Sequence, residues 1–204
     1  NTIAFNIPAG DPGFSGGVFT IRPTSALPTI RNLTNIDGTT QTTFTGDTNL
    51  SGPEIVLNGS LAGSGATGLY INGDNNTVKG LVVNGFTGTG IGISYPLDPT
   101  PSNNQILNNY IGTNASGTAA VANGGGVDIH GSGSGGPASG NTITGNTISG
   151  NTGIGISMCD ANTSTVTGNF IGTDPAGGGT IGNSSHGIGL ICSYDNDHLM
   201  SGNT

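Results

Sequence analysis

The chain has 204 residues, of which only 7% are charged, and 3 Lys and Arg against 11 Asp and Glu give a formal net charge of −8. A run of about 20 apolar residues, which a membrane span needs, is absent, and the acidic balance argues against a nucleic-acid partner. Gly, Asn, Thr and Ser take the place of charged residues, and these poor helix formers exclude a compact helical protein. We therefore predict an all-β protein.

Residues 1–65 contain four short stretches in which apolar and polar residues alternate, as they do in half-buried strands. The stretches are IAFNI, GVFTIRP, IRNLTNIDG and EIVLNGS. We interpret 1–65 as the opening coils of a single domain that spans 1–204. Residues 66–204 form its regular coils, with loop inserts.

A pattern of two strands returns five times after residue 66. The first strands are GLYING, GIGIS, GVDIHG, GIGISM and GIGLIC, and the second strands begin NTVKG, NQILN, NTITG, STVTG and HLMSG. The step from Leu69 to Ile91 is 22 residues, which fits three strands of about 3 to 5 residues plus turns. Longer steps contain Gly-, Pro- and Ser-rich inserts that we expect to loop outward. A period of this length is typical of solenoids.

Alignment of the second strands places apolar residues in two columns, which we expect to be core. The columns are Val78, Ile106, Ile143, Val166 and Met200, and Val83, Ile111, Ile148 and Ile171. Between them, below Leu81, stands a structural ladder of asparagines: Asn109, Asn146, Asn169 and Asn203. Amides stacked about 4.8 Å apart can donate and accept along the stack. This column favours parallel coils over an antiparallel sandwich.

Two side chains on the strand GVDIHG are candidates for catalysis or binding. Asp128 and His130 alternate with apolar residues, so we expect both to point outward on a face otherwise lined by Gly and Ser. Such a pair can bind or polarise a sugar hydroxyl. The alternative is a pair that is simply exposed.

An acidic cluster near the C-terminal end is the candidate metal site. Asp195 and Asp197 lie in the loop SYDNDH, and Asp160 lies at the matching bend of the coil before. Carboxylates and loop carbonyls are the ligands that Ca²⁺ prefers. A solvated turn explains the same residues, because Asp and Asn favour turns. Calcium is the one cofactor that this reasoning allows.

Cys159 and Cys192 are the two cysteines of the chain, 33 residues apart in adjacent coils. A disulfide needs Cα atoms about 4.4 to 6.8 Å apart, which adjacent coils allow. Two stacked structural thiols are the equal alternative.

Several segments carry a family resemblance: NTIAFNIP, SALPTIRNLTNIDGTTQ, GLVVNGF, NNYIGTNASGTAA and the recurring GNxIxGN. Over nearly the whole length, the chain resembles the parallel β-helix repeat proteins of bacterial surfaces, which are related in fold to pectate lyases. The resemblance implies a right-handed parallel β-helix, here of about seven coils with three short strands each. It also implies an extracellular or cell-surface location.

The resemblance leaves activity open, because such repeats occur in adhesins, surface fibres and polysaccharide-degrading enzymes. For a lyase, the resemblance implies an acidic calcium cluster together with a basic residue that abstracts a proton from the sugar. The basic residues here are Arg22, Arg31 and Lys79, and we expect no carboxylate column opposite Lys79. The sequence therefore favours a role other than catalysis.

Two functional hypotheses follow. The first is a structural module of a secreted or surface protein, namely a stalk, adhesin segment or fibre subunit. A start at Asn1 without Met and an end within a repeat suggest a mature product or an excised part, and uncapped strand edges at both ends favour self-association or flanking domains. The second hypothesis is a β-helix that binds or degrades polysaccharide, which the absence of Trp and the presence of only 4 Tyr argue against.

Overall fold

The structure is a computed structural model that describes residues 1–94, 100–132, 135–192 and 195–204. Within these residues the chain is mostly β, with a single helix and predominantly parallel sheets. The prediction of an all-β protein with parallel strands is confirmed at this level. We call the three larger sheets A, B and C.

Sheets A and B each contain seven strands. Sheet A consists, in order, of β1 (Thr2–Ala4), β4 (Asn35–Asp37), β7 (Thr77–Lys79), β10 (Gln105–Leu107), β14 (Thr142–Thr144), β18 (Thr165–Thr167) and β21 (Leu199–Ser201). Sheet B consists of β2 (Phe14–Ser15), β3 (Val18–Ile21), β5 (Ile55–Asn58), β8 (Leu81–Asn84), β11 (Tyr110–Ile111), β15 (Thr147–Ile148) and β19 (Phe170–Ile171).

Sheet C contains five strands, and a fourth sheet contains two. Sheet C consists of β6 (Leu69–Ile71), β9 (Thr89–Ser94), β12 (Gly125–His130), β16 (Ile156–Cys159) and β20 (Ile188–Leu190). The small sheet pairs β13 (Ala138–Ser139) with β17 (Ala161–Asn162). From β4 onward the chain visits A, B and C in rotation, and we call one such A–B–C run a repeat.

Both apolar columns expected from the sequence are in register. Ile106 pairs with Val78 and Ile143 in sheet A, and Ile111 pairs with Val83 and Ile148 in sheet B. The Val and Ile side chains of both columns up to Val166 are buried between the sheets, whereas Ile171 is partly exposed and Met200, on the last strand, is 37% exposed and not core as expected. Burial of a Val or Ile side chain stabilises the fold by roughly 1.5–3 kcal/mol, so the columns are the main apolar support of each repeat.

The predicted asparagine ladder lies at the corner where the chain passes from sheet A to sheet B. Asn109 Nδ2 donates to Asn146 Oδ1 at 3.1 Å, Asn146 Nδ2 to Asn169 Oδ1 at 3.0 Å, and Asn169 Nδ2 to Asn203 Oδ1 at 2.9 Å. Each acceptor oxygen also receives the backbone N–H of the preceding ladder residue, beginning with Leu81. The corner thus satisfies its backbone donors with side-chain oxygens.

Two further ladders, not expected from the sequence, lie at the other two corners. Between sheets C and A, Asn76 donates to Asn104 and Asn104 to Asn141. Between sheets B and C, Asn123 donates to Asn151 and Asn151 to Asn183. The Asn members of these ladders between residues 76 and 151 are buried, so their hydrogen bonds are made away from water, where an unmade bond is costly.

The residue before each ladder position at the A–B corner has a positive φ. These residues are Gly80, Asn108, Gly145, Gly168 and Gly202, with φ between 53° and 69°. Left-handed backbone is favoured by Gly and tolerated by Asn. The recurring Gly–Asn pairs of the sequence therefore specify a left-handed bend followed by a ladder amide.

The N-terminal end differs from the uncapped edge expected from the sequence. β2 pairs antiparallel with β3 and covers that edge of sheet B. A short helix, α1 (Thr39–Thr45), holds the first residues in place, because the buried Gln41 donates from Nε2 to Ile7 O at 2.9 Å and accepts from Ile7 N at 2.9 Å. The helix is rich in Thr, a poor helix former, so tertiary contacts and not propensity stabilise it.

We expect Asn146→Ala to lower the free energy of unfolding by about 2–3 kcal/mol, because the buried N–H groups of Asn109 lose their acceptor, and the Ile106 carbonyl and Asn169 Oδ1 each lose a donor. Urea unfolding followed by circular dichroism measures the change. Asn6→Ala, at an exposed asparagine, is the control and should leave stability within about 0.5 kcal/mol of the original chain. Equal stability of the two variants would show that the ladder contributes nothing.

Candidate functional site

The outward face of sheet C presents a column of one aromatic, one acidic and several small residues. Strand register aligns, in order, Tyr70, Gly92, Asp128, Ser157 and Gly189. Because the small residues leave space around it, Asp128 lines a depression of about 410 Å³ together with Thr89, Gly125 and Ser157. This is the candidate functional site.

Asp128 is partly buried on this face, and burial raises the pKa of its carboxyl above the ordinary value. The hydrogen bond with Ser157 and the nearby charge of His130 act in the opposite direction without reversing the shift. A carboxyl with a raised pKa accepts hydrogen bonds when ionised and donates one when protonated.

Tyr70 lies on the same face of sheet C, two strands away from Asp128 and outside the residues that line the depression. A Cβ atom on Gly92 would be 3.5 Å from Cδ2 of the Tyr70 ring, so the ring lies near Gly92, and the lack of a side chain there leaves the surface between Tyr70 and Asp128 open. An aromatic ring, a carboxyl and hydroxyl groups on one open face match a ligand with both apolar ring faces and hydroxyl groups.

His130 lies two residues further along β12 and is exposed, as expected from the sequence. Its register partner on the next strand is Cys159, whereas the partner of Asp128 is Ser157. The two candidates therefore share a face but stand beside different neighbours, and the hydrogen bond of Ser157 is made to Asp128.

The three acidic candidates for a calcium site do not form one cluster. Both carboxylate oxygens of Asp195 are engaged, because Oδ1 accepts from Ala161 N at 2.9 Å and Oδ2 accepts from Cys192 N at 3.3 Å. Asp197 has a φ of 56° and occupies the bend before His198 at the C–A corner. Among the described residues, the ligand atoms of Asp160 lie within 4.8 Å of His130 and Cys159, a group that includes neither Asp195 nor Asp197.

Cys159 and Cys192 form a disulfide, with their Cα atoms 4.7 Å apart. Cys159 ends β16, and Cys192 follows β20, the neighbouring strand of sheet C. The bond therefore joins two consecutive repeats, beside His130 and Asp160.

In the described part of the chain, Lys79 has a single acidic partner, Asp37, and not a column of carboxylates. Its Nζ lies 2.9 Å from Asp37 Oδ2, on the strand that pairs with its own. Burial acts to raise the pKa of Asp37, but the hydrogen bond from Thr39 and the Lys79 ammonium outweigh it and lower the pKa. Asp37 occurs once, in the opening repeats, so no recurring column of acidic residues marked it in the sequence.

Glu54 is a buried acidic residue that sequence reasoning missed. Its Oε1 accepts from the hydroxyl of Thr48 at 2.9 Å, and its Oε2 accepts from the hydroxyl of Thr42 at 2.8 Å. It also lines a depression of about 310 Å³ with Thr42 and Tyr110. Since its oxygens are occupied by protein donors, its arrangement serves to fasten α1 to β5.

Asp128→Asn should become more stable relative to the original chain as pH rises. The folded state raises the pKa of Asp128 above its unfolded value, so ionisation of this carboxyl opposes folding above the unfolded pKa. Asn does not ionise, and it retains a hydrogen-bonding group toward Ser157. Urea unfolding at pH 3 and pH 7 measures the difference. A stability difference that is the same at both pH values would contradict the electrostatic assignment.

Comparison with known proteins adds no relative: no family model, no curated protein and no solved structure matches the chain. Among the described residues, no helix is long and apolar enough to cross a membrane. Inference about function therefore depends on the geometry of the repeats and of the outward face of sheet C.

Proposed function

We propose that the chain is a right-handed parallel β-helix of about seven coils that acts as a rigid structural module of a secreted or cell-surface protein. Such a module would serve as a stalk, as an adhesin segment or as a fibre subunit. The observation that carries the proposal is the set of three asparagine ladders, one at each corner of the repeats.

The ladders favour rigidity because each repeat is tied to its neighbours at every bend. In the A–B ladder, Asn146 Nδ2 donates to Ile106 O in the preceding repeat at 2.8 Å and to Asn169 in the following one. Strand pairing in sheets A, B and C also joins successive repeats. Backbone hydrogen bonds and side-chain hydrogen bonds therefore both connect each repeat to the next. Stability in such arrays is roughly a sum over repeats and their interfaces.

Self-association or a flanking part of a longer chain is the partner that we propose for the C-terminal edge. Leu199 on β21 and Leu190 on β20 are 57% and 51% exposed, at the outer edges of sheets A and C. Exposed apolar residues on a free strand edge favour pairing with further strands.

A second candidate function is polysaccharide binding on the outward face of sheet C. The observation that favours it is the alignment of Tyr70 and Asp128 on either side of Gly92. The test is binding to a panel of neutral and acidic polysaccharides, with loss in Tyr70→Ala but not in Tyr110→Ala supporting this site.

Single-molecule pulling from the two ends tests the structural role. A dithiol reductant should be present, because the Cys159–Cys192 bond would prevent the residues between the two cysteines from extending under force. We expect discrete steps of one repeat each, from 22 residues between Leu69 and Ile91 to 37 between Ile106 and Ile143, or about 75 to 125 Å at about 3.4 Å per residue. Asn146→Ala should lower the force of one step, and Asn6→Ala should not. Extension without steps, as in a flexible linker, would contradict the proposal.

Self-association is tested separately by sedimentation and electron microscopy at increasing protein concentration. We expect end-to-end particles that Leu199→Lys disperses, because a charge cannot be buried at the joint. Leu61→Lys is the matched control, since Leu61 is 56% exposed and lies away from this edge. Particles of one size at every concentration would contradict self-association.

A further inference from the structure

We propose that reduction of the disulfide opens a zinc site at the edge of sheet C, with four protein ligands: Cys159, Cys192, His130 and Asp160. This site is separate from the depression around Asp128 and does not depend on the structural role proposed above.

Three of the four ligand atoms are already together. The ring nitrogen of His130, the sulfur of Cys159 and a carboxylate oxygen of Asp160 all lie within 4.8 Å of one another. The fourth is the Cys192 sulfur, which is bonded to that of Cys159. Tetrahedral zinc, with bonds of about 2.0 to 2.3 Å, places its ligand atoms roughly 3.3 to 3.8 Å apart. The Cys192 sulfur lies outside the group within 4.8 Å, so it must turn toward His130 and Asp160 once the S–S bond is broken.

The surrounding backbone should keep the two sulfur atoms close after reduction. Asp195 accepts from both Ala161 N and Cys192 N, so its carboxylate joins the segments that carry the two cysteines. Ile191 N also donates to Met158 O at 2.9 Å, directly before the cysteines. Asp195, a candidate metal ligand in the sequence, is by this geometry a positioning residue and not a ligand.

The chemistry of the ligand set selects zinc over calcium. Two thiolates and an imidazole are ligands for zinc and other borderline metals, whereas calcium requires a shell of oxygens. His130 is exposed and Cys159 is buried, so the metal would enter from the solvent side and rest against the sheet.

The redox step balances with a dithiol as reductant. The dithiol is oxidised to its disulfide and transfers two electrons and two protons, which breaks the Cys159–Cys192 bond and leaves two thiols. Zn²⁺ then displaces both thiol protons, which pass to solvent as two Zn–S bonds form. In the oxidised protein neither sulfur is available as a thiolate, so the disulfide and the metal exclude each other.

Titration with Co²⁺, a coloured substitute for Zn²⁺, tests the site in the full chain after the reductant is removed under nitrogen. We expect the reduced protein to bind one equivalent, with visible bands of thiolate-bound Co²⁺ that added Zn²⁺ removes. The oxidised protein should give no such bands. Circular dichroism should show the same β-structure before and after reduction.

Variants separate a built site from chelation by two loose thiols. His130→Ala and Asp160→Ala should each weaken Co²⁺ binding at least tenfold, and Asp195→Asn about 10- to 100-fold through loss of positioning. His186→Ala, at another exposed histidine, should leave binding unchanged. The proposal is overturned if reduction unfolds the chain, if the reduced protein lacks the bands, or if His130→Ala and Asp160→Ala bind as tightly as the original chain.

Discussion

The fold depends on satisfying the backbone at bends that are buried. A chain that turns three times per repeat and stacks its turns leaves N–H groups at each corner that neither the strands nor water can satisfy. At the ladder positions a side-chain acceptor from the following repeat meets these groups: Asn146 Oδ1 accepts from Asn109 N, and His198 Nδ1 accepts from Ser164 N. Asn146 also donates back to the carbonyl of Ile106. The short strands, the narrow core and the tolerance for Gly all follow, because the ladder side chains satisfy the backbone at each corner.

That constraint also explains why so few charged or reactive groups are found. The inward positions are taken by Ile and Val, the corners by Asn and the bends by Gly, so outward strand positions and inserts remain for function. Asp128 is an acidic residue that the fold places in a partly desolvated outward position, with a hydrogen bond to Ser157. Asp197 and Asp195 show the opposite case, since one serves as a bend and the other binds backbone N–H groups.

The sequence predicted the parts of the structure that recur. The columns of Ile106 and Ile111 were visible because the same residue type returns at the same step, and Asn109 and its successors because they stand between those columns. Asn76 and Asn123 were missed because inserts of different lengths disturb the alignment at their corners. The contact of Gln41, on α1, with Ile7 occurs once and joins segments 34 residues apart. No local sequence pattern therefore predicts it. The grouping of His130 with Cys159 and Asp160 depends in the same way on register between strands, which only the folded chain fixes.

The ladders are directional, and this has a consequence for how the molecule forms. Every ladder oxygen faces back toward the preceding repeat, so the corner N–H groups of a repeat are satisfied only when its successor is in place. A newly added repeat is held by its predecessor while its own donors remain open. Growth can then proceed one repeat at a time, in the order in which the ribosome synthesises the chain, with each completed repeat serving as the template for the next.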